Sequence, residues 1–123
     1  ITDSLRRELI PWRIHAAVVE PGIVATPIWE RADSIAREIE ARMGPRYQEL
    51  YGALVERMRA KVVEMTKKAA PPEAVALAVR HALEARKPRT RYLVGTDARV
   101  QAKAVALLPD RWMDSIVKKS LGL

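Results

Sequence analysis

The chain has 123 residues, enough for one hydrophobic core and too few for two. Hydrophobic residues make up 49% and charged residues 30%, which excludes a disordered segment, and the absence of cysteine excludes disulfide frameworks, thiolate metal sites and cysteine nucleophiles. The net charge of +7 falls wholly in residues 61–123, where 13 basic groups face 6 acidic ones. Those cations stand singly or in pairs such as Lys67-Lys68 and Lys118-Lys119, the pattern of solvated helix faces rather than of a nucleic-acid-binding run.

Taken in chain order, Ser4-Leu5-Arg6-Arg7-Glu8-Leu9 reads as the last turns of an amphipathic helix that Pro11 stops, so residues upstream of Ile1 are expected. Ile14 to Val19 is a continuous, largely apolar run, which predicts a strand buried on both faces of a parallel sheet and ended by Glu20-Pro21-Gly22. Asp33 is a candidate N-cap for a helix carrying Ile35, Ile39 and Met43, broken at Gly44-Pro45. Tyr47, Leu50, Tyr51, Leu54, Val55, Met58, Val62 and Met65 follow helical spacing and predict a long helix whose apolar stripe lies on a core, a partner or a ligand. Pro72 suits the first turn of a helix running to about Arg86. Arg91-Tyr92-Leu93-Val94 predicts a short strand ended by Gly95, and Asp97 a cap for a helix through Leu108. After Pro109 a last helix carries Trp112, Ile116 and Val117, with Lys118 and Lys119 in its final turn, where cations suit the helix dipole.

Two strands and about five helices follow, a mostly helical α/β chain with a parallel crossover between the strands. No uncharged stretch approaches the ~20 residues of a membrane-spanning helix. His15 and His81 stand apart from any second ligand at metal spacing, so no metal is assigned and both are read as structural. Two strands leave open backbone edges, which predicts self-association into a homo-oligomer.

The run from Ser4 to Leu9 with Pro11, Trp12 and Ile14, then Val19-Glu20-Pro21-Gly22, Val24, Thr26-Pro27-Ile28-Trp29, and later Pro72-Glu73, Val75-Ala76, Pro88-Arg89, Arg91-Tyr92 and Val94-Gly95, resembles the C-terminal part of the short-chain dehydrogenase/reductase family. Glu20 directly before Pro21-Gly22 is most similar to its steroid and retinol dehydrogenase branch. The resemblance implies the C-terminal portion of a Rossmann-like, doubly wound parallel sheet. Residues 1–29 would carry a helix end, a strand and the nicotinamide-side turn. Residues 30–70 would form a helical substrate lid, and residues 71–123 a helix, the last strand and the C-terminal helices. It further implies that Pro21 and Gly22 wall one side of the nicotinamide of NAD or NADP, glycine allowing close backbone approach. Backbone groups of Ile23 or Val24 would meet the carboxamide, and the Thr26 hydroxyl the carboxamide or the diphosphate. Trp29 is either a core anchor or a wall of the substrate pocket.

The family's Gly-rich phosphate loop and Tyr-x-x-x-Lys pair are missing from these 123 residues. By resemblance that Tyr would stand about ten residues before Ile1. A parent oxidoreductase acting with NAD(P) on a hydrophobic alcohol or carbonyl is therefore expected, cytoplasmic, with residues 1–123 inactive by themselves and contributing no catalytic residue. The alternatives are an oligomerisation module centred on residues 72–95 and a small basic nucleic-acid-binding domain, the latter set aside on the scattered cations.

Overall fold

Prolines set most of the element boundaries in the computed structural model, which describes residues 1–122. Helix α1 (Thr2–Glu8) gives way to a 3-10 turn, Ile10–Trp12, around Pro11, and strand β1 (Val18–Pro21) follows. Helices α2 (Ile28–Ala41), α3 (Pro45–Thr66) and α4 (Pro72–Glu84) precede strand β2 (Arg91–Val94), and α5 (Thr96–Leu107) and α6 (Asp110–Leu121) complete the order. Pro45 and Pro72 open their helices, and Pro27, Pro71 and Pro109 precede theirs, positions where a missing amide hydrogen costs no intrahelical bond. Among the described residues six α-helices and the 3-10 turn together account for 68% of the chain around a two-stranded parallel sheet, the expected mostly helical α/β arrangement. The sixth is α1, which stands beside the five whole helices read from the sequence.

The residues group into two units, Ile1–Val24 with Ala69–Lys103, and Ala25–Lys68 with those from Ala104 onward. In the first, β1 and β2 run parallel in the register Val18↔Arg91 to Pro21↔Val94. The Val18 amide donates to the Thr90 carbonyl at 3.1 Å and the Gly22 amide to that of Val94 at 2.9 Å. Alternation puts Pro21 between these donors, with its ring nitrogen on the edge away from β2, so it costs the ladder nothing. Helix α4 packs on both strands. Tyr92, Val94 and Ala98 form the buried centre. The Tyr92 hydroxyl accepts from the Arg89 amide at 3.0 Å and lies 2.8 Å from His81 Nδ1, which ties α4 to β2. Arg91 bonds Glu20 on the neighbouring strand and Asp3 of α1 at 3.2 Å. Glu20 is thus held by a cation of the sheet itself.

The strand predicted at Ile14 to Val19 lies instead at Val18–Pro21. Pairing decides the shift, because β2 offers partners only to residues 18–21. Ile14 is exposed, and so is His15, which therefore stands outside any strand.

In the second unit the polar side of α2 meets α3. Arg59 of α3 donates to Asp33 at 2.8 Å, to both carboxylate oxygens of Glu40 at 2.8 Å and to Glu56 at 2.8 Å. Asp33 is thus a cross-link inside α2, not its N-cap, since the helix starts one turn earlier behind Pro27. The apolar row Ile28, Ile35, Ile39 and Met43 is exposed. The long stripe of α3 divides: Tyr47, Leu54, Val55 and Val62 are half-buried, while Leu50, Tyr51, Met58 and Met65 are exposed. Arg57 of α3 donates to the carbonyls of Leu121 and Gly122, at 3.3 and 2.8 Å, satisfying acceptors at the end of α6. Lys118 and Lys119 occupy the last turn of α6, as expected. No helix among the described residues is long and apolar enough to cross a membrane.

Candidate functional site

Parallel strands place their carboxyl ends on one side of a sheet, and chain leaving those ends forms the crevice in which open α/β sheets bind ligands. Here the two ends are Pro21 and Val94. Beyond Pro21 runs the turn Gly22-Ile23-Val24, and beyond Val94 runs Gly95 into α5. Gly95 has φ +100°, a conformation that L side chains rarely adopt, and this lets β2 swing directly into a helix.

The two exits are bonded to each other. The Ile23 amide donates to Asp97 Oδ2 at 2.6 Å, across 74 residues of sequence. The Ile23 carbonyl accepts from the Ala70 amide at 2.8 Å, and Val24 bridges Ala70 in parallel fashion. Both polar backbone groups of Ile23 are therefore engaged within the chain. A Cβ on Gly22 would overlap the Asp97 carboxylate, and one on Gly95 would overlap its Oδ1. The carboxylate thus lies where two side chains would begin, although Asp97 as a residue is exposed.

The bond from the Ile23 amide is the main reason that the Asp97 carboxyl titrates below the ordinary aspartate range; partial burial opposes it, and the amides of Ala98 and of Asp97 itself add to it. A carboxyl lowered in the folded state contributes stability that is complete above its unfolded value and disappears as pH falls through the lowered one. We expect hydrogen exchange at the Ile23 amide to be protected at neutral pH and to lose part of that protection only in acid below the ordinary aspartate range, as pH falls through the lowered value. In Asp97→Asn this acid step is expected to be absent.

Of the residues singled out in the sequence, Pro21, Gly22, Ile23 and Val24 come together at the strand ends with Ala70 and Asp97. Thr26 and Trp29 belong to the second unit, Thr26 just ahead of α2 and Trp29 in its first turn, both half-buried. Asp97 was legible only as a helix cap. Ala70 carried no signal, since its part is played by a backbone amide. No group of three His, Asp or Glu side chains among the described residues is placed to hold a metal ion.

This arrangement is a hydrogen-bonded corner at the carboxyl ends of two parallel strands in an α/β unit. Comparison with known proteins narrows the class: by sequence the chain is related to the short-chain dehydrogenases/reductases. It is 35% identical over 122 residues to the NADPH-dependent 3-dehydrocapnine reductase of Ornithobacterium rhinotracheale, covering 98% of this chain and 40% of that protein. It is 34% identical over 124 residues to mouse retinol dehydrogenase 5, covering 94% and 38%. It is 30% identical over 124 residues to bovine short-chain dehydrogenase/reductase family 9C member 7, covering 98% and 40%. The chain therefore spans about two fifths of the length of these relatives. No protein-family model and no solved structure matches it.

Proposed function

We propose that this chain is the nicotinamide-side and substrate-side part of an NAD(P)-dependent oxidoreductase that interconverts a hydrophobic alcohol and its ketone or aldehyde. The observation that carries the reading is the position of Pro21-Gly22-Ile23-Val24, at the carboxyl ends of two parallel strands, in a chain matched along nearly its whole length by a reductase and retinol dehydrogenases. When bound, the dinucleotide supplies the hydride donor or acceptor. Pro21 and Gly22 wall one face of its nicotinamide, and the backbone at Val24 and the hydroxyl of Thr26 orient the carboxamide. Ile23, engaged on both sides, holds the turn rather than the ligand.

Trp29 and the apolar residues of α2 and α3 form the substrate-facing lid. The exposed rows of Ile35, Ile39 and Met43 and of Tyr51, Met58 and Met65 suit a nonpolar molecule and exclude water from the reacting carbon. The general acid/base pair lies outside these residues, which bind and orient. Self-association through residues 72–95 is a second role; the two-stranded sheet, with its outer edges unpaired by any strand among the described residues, supports it.

The test is hydride transfer by the full-length protein that carries this sequence. All-trans-retinol with NAD+ or NADP+, and a long-chain ketone with NADH or NADPH, are expected to change the nicotinamide absorbance, while residues 1–123 alone give no turnover. Absence of turnover with either substrate type and of binding to all four dinucleotides would overturn the reading.

A further inference from the structure

We infer that Asp97 is a positioning residue for the nicotinamide-facing turn: its carboxylate, seated against Gly22 and Gly95, grips the Ile23 amide and sets the path of Pro21 to Val24 beyond the sheet. The inference rests on the functional reading above and deepens it.

An aspartate in the first turn of a helix ordinarily serves that helix, accepting from its own free amides and complementing its dipole. Asp97 goes further, because its oxygen at 2.6 Å belongs to a bond with Ile23, in the chain leaving the other strand. The last ladder bond between the strands is that of the Gly22 amide to Val94, and the Asp97 side chain adds one more link past the point where the backbones diverge. The Ala70 amide holds the carbonyl of the same residue, so Ile23 is fixed by two separate segments, one entering α5 and one entering α4.

Glycine at position 22 also acquires a specific reason. Gly22 does not have positive φ, so its backbone conformation is open to any residue. The space beside it is taken by the Asp97 carboxylate. Within this fold the glycine of the Pro-Gly turn makes room for an internal carboxylate, and that carboxylate holds the next amide. A reacting group displaced by about an ångström loses much of its rate, so a side chain that fixes the turn governs how the nicotinamide is presented without touching the reacting atoms.

The experiment uses the full-length protein and compares Asp97→Asn and Asp97→Ala with the unmodified sequence. Affinity is measured for the reduced dinucleotide and for ADP-ribose, with or without the 2′-phosphate, which lacks the nicotinamide. Unmodified protein is measured first: if it binds neither NADH nor NADPH, the functional reading fails and the inference with it. If it binds, Asp97→Ala is expected to weaken dinucleotide affinity roughly fivefold and to leave ADP-ribose affinity within about twofold, a modest effect because the bond is solvent-exposed. Asp97→Asn keeps an acceptor oxygen and is expected to recover most of the loss. An equal loss for both ligands marks a general structural role and overturns the inference, as does no change in either. Should Asp97→Ala fail to fold, Asp97→Ser, which can still serve the first turn of α5 but is too short to reach the Ile23 amide, decides by the same ratio, and equal weakening of both ligands overturns the inference.

Discussion

Gly95→Ala is expected to destabilise the full-length protein by about 2 kcal/mol, and Gly22→Ala by about 1 kcal/mol, for different reasons. At Gly95 the dominant cost is backbone strain, since φ +100° lies in territory where a side chain costs roughly 1–3 kcal/mol wherever it is imposed. At Gly22 the backbone is ordinary and the cost is a collision with Asp97. Asp97 is exposed, so its carboxylate relieves the overlap by swinging out, and what is lost is the bond to the Ile23 amide. Repeating both substitutions in an Asp97→Ala background separates the two: the penalty at Gly22 should fall close to zero, while most of that at Gly95 persists. Urea unfolding of the unmodified protein, Asp97→Ala, the two glycine variants and the two double variants reads the difference. An unchanged Gly22 penalty without Asp97 would show that the carboxylate is not what the glycine accommodates. Gly52, inside α3, is the control of opposite sign, because a Cβ there meets only the mobile end of Gln48, at 2.9 Å, and alanine favours a helix interior by up to about 1 kcal/mol.

Arg59→Met is expected to loosen α2 from α3 and to lower amide protection along Ile28–Ala41 on the order of tenfold. The guanidinium serves three carboxylates at once, with both oxygens of Glu40 taken as a pair and with Asp33 and Glu56 on its other nitrogens. Its side chain is only 17% exposed and that of Glu40 15%, so removing the cation leaves the shielded Glu40 carboxylate without its partner, beside the more exposed Asp33 at 41% and Glu56 at 72%. Arg59→Lys should recover only a small part, because a single ammonium lacks the planar fork that engages several carboxylates in fixed geometry. Hydrogen exchange followed by mass spectrometry resolves the effect by segment. Protection lost uniformly over α2 and α3 would mean global unfolding, and unchanged protection would show that the ion cluster does not hold the two helices together.

The misread elements share a cause. An apolar run from Ile14 to Val19 suggested a strand, yet a strand exists only where a second backbone pairs with it, and β2 reaches residues 18–21. Helix α2 separates amphipathicity from burial in the same way: the apolar row Ile35, Ile39 and Met43 has the right period, but in its own unit the side that meets α3 carries Asp33 and Glu40. Periodicity states that two faces differ, and the charge partner on the neighbouring helix decides which face is covered. Asp97 is the same case within the candidate site, read as a helix cap but lying inside the first turn of α5, with its main partner 74 residues away.

By itself the sequence determined the parts of this protein governed by local chemistry. The Gly44-Pro45 and Pro71-Pro72 breaks, the span of α3, the strand Arg91–Val94 with its terminal Gly95, the cations closing α6 and the Pro21-Gly22 turn all follow from propensities and punctuation acting within a few residues. Only the tertiary structure decided the register of β1, the pairing of the polar side of α2 with Arg59 and the joining of Ile23 to Asp97 and Ala70. Those features depend on which distant backbone or side chain arrives within hydrogen-bonding reach. No local preference encodes that distance, because it is set only when the strands pair and the helices pack.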